Sequence, residues 1–319
     1  MMKRSWLLLG TVLVSIIAFT HAFKEEEFKK CNDIGFCRRH RDKSGPVFEM
    51  QASSVKVESR LVHATLKNKL APSVELQLQL QTNADGFLRL TIDEAKTDLG
   101  ARYRITDIIQ TESIEKKNSN DAKTTWITMK RDATQIVLKA ADTTVTIYFL
   151  PFKIAIQVKD KPAMNLNAKG LFDFEHRRVK DEATAHECDG CWDETFRGFR
   201  DSKPKGPEAI SLDISFPGSE HVYGIPEHAT NFALKPTSPH KEPYRMYNLD
   251  VFEYLDSSSF GLYGAIPMMM AHKAGLTTGV FWLNAAEMYI DVSKYGDTTN
   301  TQWIAESGIV DLFFFPGPR

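Results

Sequence analysis

The chain has 319 residues, of which 42% are hydrophobic and 25% charged. This composition is typical of a globular protein rather than a disordered one, and the length suits one large β domain or two ordinary ones. The formal net charge is −1. Because binding to nucleic acid depends on an excess of positive charge, we expect no nucleic-acid partner.

The first 22 residues have the pattern of a secretory signal peptide. Lys3 and Arg4 precede an apolar run, residues 6–19, and small residues follow up to Ala22. The run is shorter than the roughly 20 residues that cross a bilayer. We therefore expect cleavage after Ala22, no membrane association of the mature chain, and a place in the lumen of the secretory pathway.

The four cysteines form two close pairs, Cys31/Cys37 and Cys188/Cys191. In an oxidising compartment, two local disulfides are the natural interpretation. A zinc site and a redox dithiol are the alternatives. The spacing of the first pair fits a four-cysteine zinc site poorly, and a redox pair needs a βαβ context, whereas the second pair lies in a charged, turn-rich stretch. We predict no metal and no cofactor, and the state of the second pair stays open.

From about Ser53 onward, the hydrophobic pattern has a period of two, which indicates β-strands. Residues 74–81 alternate without a break, Asn83-Ala-Asp-Gly86 is a turn signal, and residues 87–93 resume the alternation. The pattern predicts a β-sandwich, and Met268–Lys273 is the one patch that could be helical. Further strands are predicted at residues 125–130, 134–139, 144–150, 153–158, 211–216, 279–283, 288–292 and 309–315.

Three regions follow from these patterns. The signal peptide (1–22) precedes an N-terminal segment (23–50) that contains Cys31 and Cys37. The β-rich domain spans 51–319, with a charged insertion at about 175–208. Strand–helix alternation is missing from the pattern, so we predict no parallel α/β sheet.

The block from Glu220 to Tyr254 contains candidate site residues. Asp250 and Asn248 offer the hydrogen-bonding groups that sugar recognition requires beside flat apolar faces. Considered alone, aromatic residues in a β protein are more often core than sugar platform, and a single aspartate is more often a solvated loop acid. The aromatic residues that could supply such faces are Tyr244, Tyr247, Phe252, Tyr254 and Trp282.

Four sequence blocks, in this order, resemble the N-terminal domain of glycoside hydrolase family 31, in particular its glucosidase II α-type members. They are Glu220-His-Val-Tyr-Gly-Ile-Pro-Glu-His228, Glu242-Pro-Tyr-Arg-Met-Tyr-Asn-Leu-Asp-Val-Phe-Glu-Tyr254, Leu262-Tyr-Gly-Ala-Ile-Pro-Met268 and Gly279-Val-Phe-Trp-Leu-Asn-Ala-Ala-Glu-Met288. Residues 28–41, 192–196 and 201–207 extend the resemblance over nearly the whole mature chain.

The resemblance implies a mostly β fold, a β-sandwich of the galactose-mutarotase type that packs against a (β/α)8 catalytic barrel. It also implies that Asp250, in the context Tyr247-Asn-Leu-Asp250, hydrogen-bonds the sugar being cleaved. The intact enzyme would be a retaining α-glucosidase that trims glucose from N-glycans in the endoplasmic reticulum and pairs with a β subunit.

The departures from the family pattern are equally informative. The run that contains the family's nucleophilic aspartate is absent from this sequence, as are the strand–helix repeats of the barrel, so we expect the chain alone to be inactive. Whether the end at Arg319 is biological stays open, and the Cys188/Cys191 pair does not belong to the family pattern.

Two other functions are compatible with the sequence. The first is a free-standing carbohydrate-binding module or β-subunit-binding protein without enzymatic activity. The second is a mutarotase-like epimerase, which would need a His/Glu acid–base pair. His221, Glu227 and His228 are candidates for that pair, but they lie among turn residues, and we predict that their role is structural.

Overall fold

The computed structural model describes residues 25–96, 99–109, 125–181, 188–238, 240–250 and 260–317. The predicted signal peptide lies outside these residues. Within these ranges, none of the helices has the length and apolar character needed to cross a membrane.

The described residues are mostly β-strands. They include one α-helix, α1 (Gly35–His40), and three 3-10 turns (Glu25–Glu27, Cys31–Asp33 and Ala52–Ser54). The first strands are β1 (Phe48–Met50), β2 (Lys56–Glu58), β3 (Leu61–Asn68), β4 (Ala71–Thr82), β5 (Leu88–Glu94), β6 (Ile127–Arg131), β7 (Gln135–Ala140), β8 (Thr143–Tyr148), β9 (Lys153–Val158), β10 (Lys161–Leu166) and β11 (Asp173–Phe174). The remaining strands are β12 (Asp193–Phe196), β13 (Phe199–Ser202), β14 (Ile210–Phe216), β15 (His221–Pro226), β16 (Tyr244–Met246), β17 (Ala265–Lys273), β18 (Leu276–Trp282), β19 (Met288–Tyr295), β20 (Thr298–Ala305) and β21 (Val310–Phe315).

These strands form two large antiparallel sheets and one hairpin. Sheet A has nine strands in the order β1-β3-β4-β5-β21-β18-β17-β15, with β2 also paired to β3. Sheet B has ten strands in the order β16-β19-β20-β14-β10-β9-β8-β7-β6, with β11 also paired to β14. The hairpin, β12-β13, lies in the charged insertion. Nothing in the described part of the chain forms a (β/α)8 barrel, and the predicted mostly β architecture is confirmed.

The hairpin predicted from the alternation forms as expected. Leu76, Leu78 and Leu80 of β4 are buried while the residues between them are exposed, because successive strand residues point to opposite faces. The turn closes where the amide of Gly86 donates to the carbonyl of Asn83 at 2.9 Å, and Gly86 has a φ of 84°. A glycine adopts this positive φ without steric strain.

The two sheets enclose one core. Buried side chains from both sheets belong to a single contiguous cluster, as expected for a sandwich. At its centre, Trp282 of β18 and Trp303 of β20 are fully buried, with ring centroids 6.4 Å apart. The indole of Trp282 donates to the carbonyl of Ile309 at 2.9 Å, so its one polar group is satisfied.

The patch Met268–Lys273 is a strand and not a helix. It belongs to β17, which is paired with β15 on one side and β18 on the other. Met269 and Ala271 are buried whereas Met270 is exposed, a period of two. An unbroken apolar run of this length has no clear periodicity in the sequence, and the two neighbouring strands decide its structure.

The N-terminal segment covers the outer face of sheet B. Phe36 of α1 packs against Tyr289 of β19, with ring centroids 6.0 Å apart, in a second buried cluster that includes Ile304. Gln302 of β20 donates to the carbonyl of His40 at 2.8 Å. This cover contributes to the burial of β14, Ile210–Phe216, whose Asp213 also accepts from the amides of Lys169 and Leu171 at 2.9 and 3.0 Å.

Candidate functional site

The segment that contains Asp250 leaves the sandwich directly after β16. The side chains of Asn248 and Asp250 are exposed, and Tyr247 is 47% exposed, whereas Leu249 between them is buried. Residues 251–259 lie outside the described residues. The chain thus presents a carboxylate and an amide to solvent on either side of one apolar anchor.

Backbone hydrogen bonds fix the base of this segment. The amide of Leu249 donates to the carbonyl of Leu262 at 2.7 Å, and the amide of Leu262 donates to the carbonyl of Glu227 at 2.8 Å. Glu227 and Gly264 complete the ladder, since the amide of Glu227 donates to the carbonyl of Gly264 at 2.7 Å. We name the two chain stretches on either side of residues 251–259, residues 247–250 and 260–264, the loop arms.

The arms approach each other closely. A Cβ on Gly261 would lie 3.1 Å from the carbonyl oxygens of Arg245 and Tyr247, which is tighter than ordinary packing. Leu249 and Leu262 form a small apolar cluster to which Phe260 also belongs. The base of the Asp250 segment is therefore packed as well as hydrogen-bonded.

Arg245 links these arms to sheet B. Its guanidinium lies 4.3 Å from the ring centroid of Tyr247, a cation–π contact, and its Nε donates to the Glu287 carboxylate at 2.6 Å. The side chain of Arg245 is 7% exposed, so the pair is shielded from solvent. Burial raises the pKa of the neighbouring Tyr289 hydroxyl, which stays neutral beside this pair.

Two of the aromatic candidates are core residues. Trp282 and Tyr244 are 0% and 2% exposed, so neither offers a face to a sugar. Both side chains pack in the core because they lie within strands of the sandwich, whereas Tyr247 lies beyond the end of β16. Phe252 and Tyr254 lie outside the described residues. Tyr263, which is 58% exposed on the second loop arm, was not singled out from the sequence.

His221, Glu227 and His228 make local contacts in the structure. His221 is exposed at the end of the edge strand β15. The Glu227 carboxylate accepts from the amide of Gly264 at 3.0 Å, which reinforces the base of the loop arms. The His228 ring lies 5.4 Å from the ring of Tyr244. These contacts are those of residues that hold turns and strand ends together.

Both cysteine pairs are disulfide-bonded in the structure. Cys31 is joined to Cys37 beside α1, and Cys188 to Cys191 before the insertion hairpin, with Cα atoms 5.2 Å and 5.5 Å apart. These separations lie in the usual range for a disulfide. The pairing that the sequence left open at Cys188/Cys191 is thus a disulfide here.

Glu175 lies beside the second disulfide. Its carboxylate and the sulfurs of Cys188 and Cys191 lie within 4.8 Å of one another, which is the one group of donors among the described residues with metal-ligand spacing. Cysteine binds zinc as a thiolate, but these sulfurs are bonded to each other. The carboxylate already accepts from Arg39 at 2.8 and 2.9 Å and lies 3.1 Å from the His40 ring nitrogen.

The electrostatics agree with a structural role for Glu175. Burial acts to raise the pKa of this carboxyl, but His40 and Arg39 outweigh that effect and hold the pKa below its ordinary value. Burial raises the pKa of the nearby Asp173 to about 6, with His40 acting against it and the charge of Glu175 adding to it. Glu175 therefore serves as an ionised anchor between the N-terminal segment and the insertion.

The sandwich of two antiparallel sheets is the architecture of a galactose-mutarotase-like domain. A family model described as the "Glycosyl hydrolase 31 N-terminal galactose mutarotase-like domain" matches residues 77–291. The chain belongs to glycoside hydrolase family 31, and the fold expected from the resemblance is confirmed.

Curated relatives support the same family. The chain is 38% identical to "Probable glucan 1,3-alpha-glucosidase" of Arabidopsis thaliana, over 96% of this chain and 36% of the relative. It is 31% identical to "Neutral alpha-glucosidase AB" of Homo sapiens, over 99% of this chain and 38% of the relative. The chain therefore spans little more than a third of the length of these relatives.

Solved structures agree. A glucosidase II α subunit bound to Glc1Man2 superposes with a TM-score of 0.79 at 33% identity, covering 91% of this chain and 36% of that one. An endoplasmic-reticulum glucosidase II heterodimer, made of the catalytic subunit and the binding domain of the regulatory subunit, gives the same TM-score and identity over the same shares of the two chains. The expected similarity to glucosidase II α-type members is confirmed.

Proposed function

We propose that this chain is the substrate-facing part of an α-glucosidase of the glucosidase II α type, and that Asp250 binds the terminal glucose of its substrate. The observation that carries the proposal is the exposed Asp250 carboxylate next to the buried Leu249, whose amide is tied to Leu262. A carboxylate held in this way accepts hydrogen bonds from sugar hydroxyl groups, and bonds to a charged group contribute about 1.5–3 kcal/mol each.

The proposal assigns no hydrolytic chemistry to this chain. Retaining glycoside hydrolysis needs two carboxyl groups about 5–5.5 Å apart on either side of the scissile bond. Two acidic groups that contact the loop arms or Arg245 already have partners: Glu227 accepts from Gly264, and Glu287 is paired with Arg245. The chemistry would come from a catalytic barrel that is joined to this domain in the intact enzyme.

An exposed apolar patch on sheet A supports the proposed docking of a barrel. On β17, Ile266 is 64% exposed and Met270 is 40% exposed. Met268 lies opposite Phe281 of β18, and Met270 lies opposite Tyr223 of β15, so the patch continues across three strands. Contiguous apolar surface of this kind marks interaction sites in soluble proteins.

The cellular setting is part of the same proposal. We infer that the intact enzyme trims glucose from N-glycans in the lumen of the endoplasmic reticulum and associates with a regulatory β subunit. The support comes from the signal-peptide pattern of residues 1–22, the two disulfides, and the similarity to a catalytic subunit solved in complex with a regulatory-subunit domain.

Sugar titration of the purified chain tests the role of Asp250. An α-1,3-linked glucose disaccharide is the probe, and binding is followed by NMR. Asp250→Ala should raise the dissociation constant about ten-fold, since the loss of about 1.4 kcal/mol of binding free energy corresponds to a factor of ten. The matched control is Asp142→Ala, which removes another exposed carboxylate, 65% exposed, on the β7–β8 turn. Equal affinity in the two variants would contradict the proposed contact.

A second assay tests the predicted inactivity. The purified chain is incubated with a chromogenic α-glucoside under conditions in which an intact family member turns over. We expect no release above the buffer background. Turnover that follows the concentration of the chain would show that it contains a complete catalytic pair.

A further inference from the structure

The N-terminal segment contacts the base of the Asp250 segment. Phe28 is half-buried, and its ring lies 5.6 Å from the ring of Phe260, at an angle of 51°. The same small cluster contains Leu249 and Leu262. This cluster is separate from the main core between the sheets.

The composition of the cluster shows what Phe28 does there. Leu249 belongs to the first loop arm, and Phe260 and Leu262 belong to the second. Phe28 is the member of the cluster that comes from outside the arms. Because Leu249 directly precedes Asp250, an apolar contact on Leu249 limits how far the Asp250 backbone can move.

Phe28 is held in place by contacts on its C-terminal side. The amide of Cys31 donates to the Glu242 carboxylate at 3.0 Å, and the hydroxyl of Tyr289 donates to the carbonyl of Lys29 at 3.3 Å. The Cys31–Cys37 disulfide closes the chain directly after these contacts, with both cysteines fully buried. The N-terminal segment is therefore a fixed support and not a loose extension.

We propose that Phe28 is a positioning residue for Asp250, which fixes the loop arms through Leu249, Phe260 and Leu262. The positioning role rests on the proposed sugar contact of Asp250, but the support of the arms does not. Without Phe28, the arms keep the hydrogen bond from Leu249 to Leu262, but the cluster loses its outside member. Local opening of the arms becomes more frequent, and the carboxylate spends less time in its binding position.

Hydrogen exchange of the purified chain tests the support directly. In Phe28→Ala, the amides of Leu249 and Leu262 should exchange about five- to ten-fold faster, the effect expected when a stabilising aromatic contact is lost. Phe28→Leu keeps an apolar side chain and should restore most of the protection. Phe199→Ala, which removes a phenylalanine that is 79% exposed on β13, is the matched control and should leave both amides unchanged. The amide of Trp303 reports on global opening, and its exchange is measured in every variant for comparison with that of Leu249 and Leu262.

Titration of the same variants with the α-1,3-linked glucose disaccharide tests the positioning role. Phe28→Ala should weaken binding by at least about three-fold, with Phe28→Leu close to the native chain. Unchanged exchange at Leu249 and Leu262 would show that Phe28 does not support the loop arms, whatever the titration gives. Unchanged affinity in Phe28→Ala, together with weakened affinity in Asp250→Ala, would overturn the positioning role and leave the proposed function intact. Unchanged affinity in Asp250→Ala would overturn the proposed function. The exchange data would still decide whether Phe28 supports the loop arms.

Discussion

The ion pair between Arg41 and Asp291 should be one of the strongest links between the N-terminal segment and the sandwich. Nε and Nη2 of Arg41 donate to the two oxygens of the Asp291 carboxylate at 2.8 and 2.9 Å, and Thr237 donates to the same carboxylate at 2.8 Å. The side chains of Arg41 and Asp291 are only 14% and 4% exposed. The pair is thus bidentate and almost completely shielded from solvent.

Removing the arginine should be costly because the carboxylate stays behind. Burial raises the pKa of Asp291 above its ordinary value, even with Arg41 and Thr237 as partners, so the site penalises the negative charge. Breaking a buried pair by deleting one partner costs about 3–5 kcal/mol. For Arg41→Ala we expect about 3 kcal/mol, the lower end, because the Thr237 hydroxyl still donates to the carboxylate.

Urea unfolding measures this loss. The transition is followed by tryptophan fluorescence, since Trp282 and Trp303 are fully buried in the core. The control is Lys159→Ala, which removes an exposed pair with Asp142 at 3.6 Å, where both side chains are more than half exposed. That change should lower the free energy of unfolding by less than about 1 kcal/mol.

Two outcomes would contradict a strong contribution of this ion pair. A loss for Arg41→Ala within about 1 kcal/mol of the control would show that the pair contributes no more than a surface pair. The double variant Arg41→Ala with Asp291→Asn should lose less than the sum of the two single changes, because the stranded charge is gone. Simple additivity would mean that the stranded charge is not the cause.

Two further predictions concern the N-terminal segment. Arg39 and His40 hold the pKa of Glu175 below its ordinary value of 4.5, so its stabilisation is present above that pH and is lost as the pH falls. Urea unfolding is measured between about pH 3 and 6. Below pH 4.5, the free energy of unfolding should fall more steeply for the native chain than for Glu175→Gln, by up to about 1.4 kcal/mol per pH unit. Parallel pH profiles of the two proteins would contradict this. Replacing Cys31 and Cys37 together by serine opens a ring across a sequence separation of 6 and should lower the free energy of unfolding by about 2 kcal/mol. An unchanged midpoint of thermal unfolding would contradict that estimate.

The strands could be predicted where burial is one-sided. In β4 the buried and exposed residues alternate, so the sequence itself records which face meets the core. β17 was ambiguous because its central run is apolar on both faces, since one face meets the core and the other is the exposed patch. Helix α1 was not predicted, because six residues are too few to show a helical period.

The candidate site could be predicted only in part. Asp250 was identified by resemblance, since one aspartate in a loop has no local pattern that distinguishes a ligand from a solvated acid. Trp282 and Tyr244 were included among the candidate sugar-binding faces although they are core residues, because the sequence does not reveal which aromatic residues the core encloses. The contact between Phe28 and Phe260 joins residues far apart in sequence, and only the folded chain brings them together.

Where the N-terminal segment contacts the insertion, two glycines have no room for a side chain. A Cβ on Gly35 would lie 2.9 Å from the Cα of Gly190, and a Cβ on Gly190 would lie 2.9 Å from the Cα of Gly35. The carboxylate of Glu194 fills the remaining space and accepts from the amide of Gly35 at 2.6 Å. A side chain at either position would push the two backbones apart, so the two glycines can be lost only together with this junction. Their joint presence in another family member would therefore signal that its insertion docks on α1, and the loss of one would predict a displaced N-terminal segment.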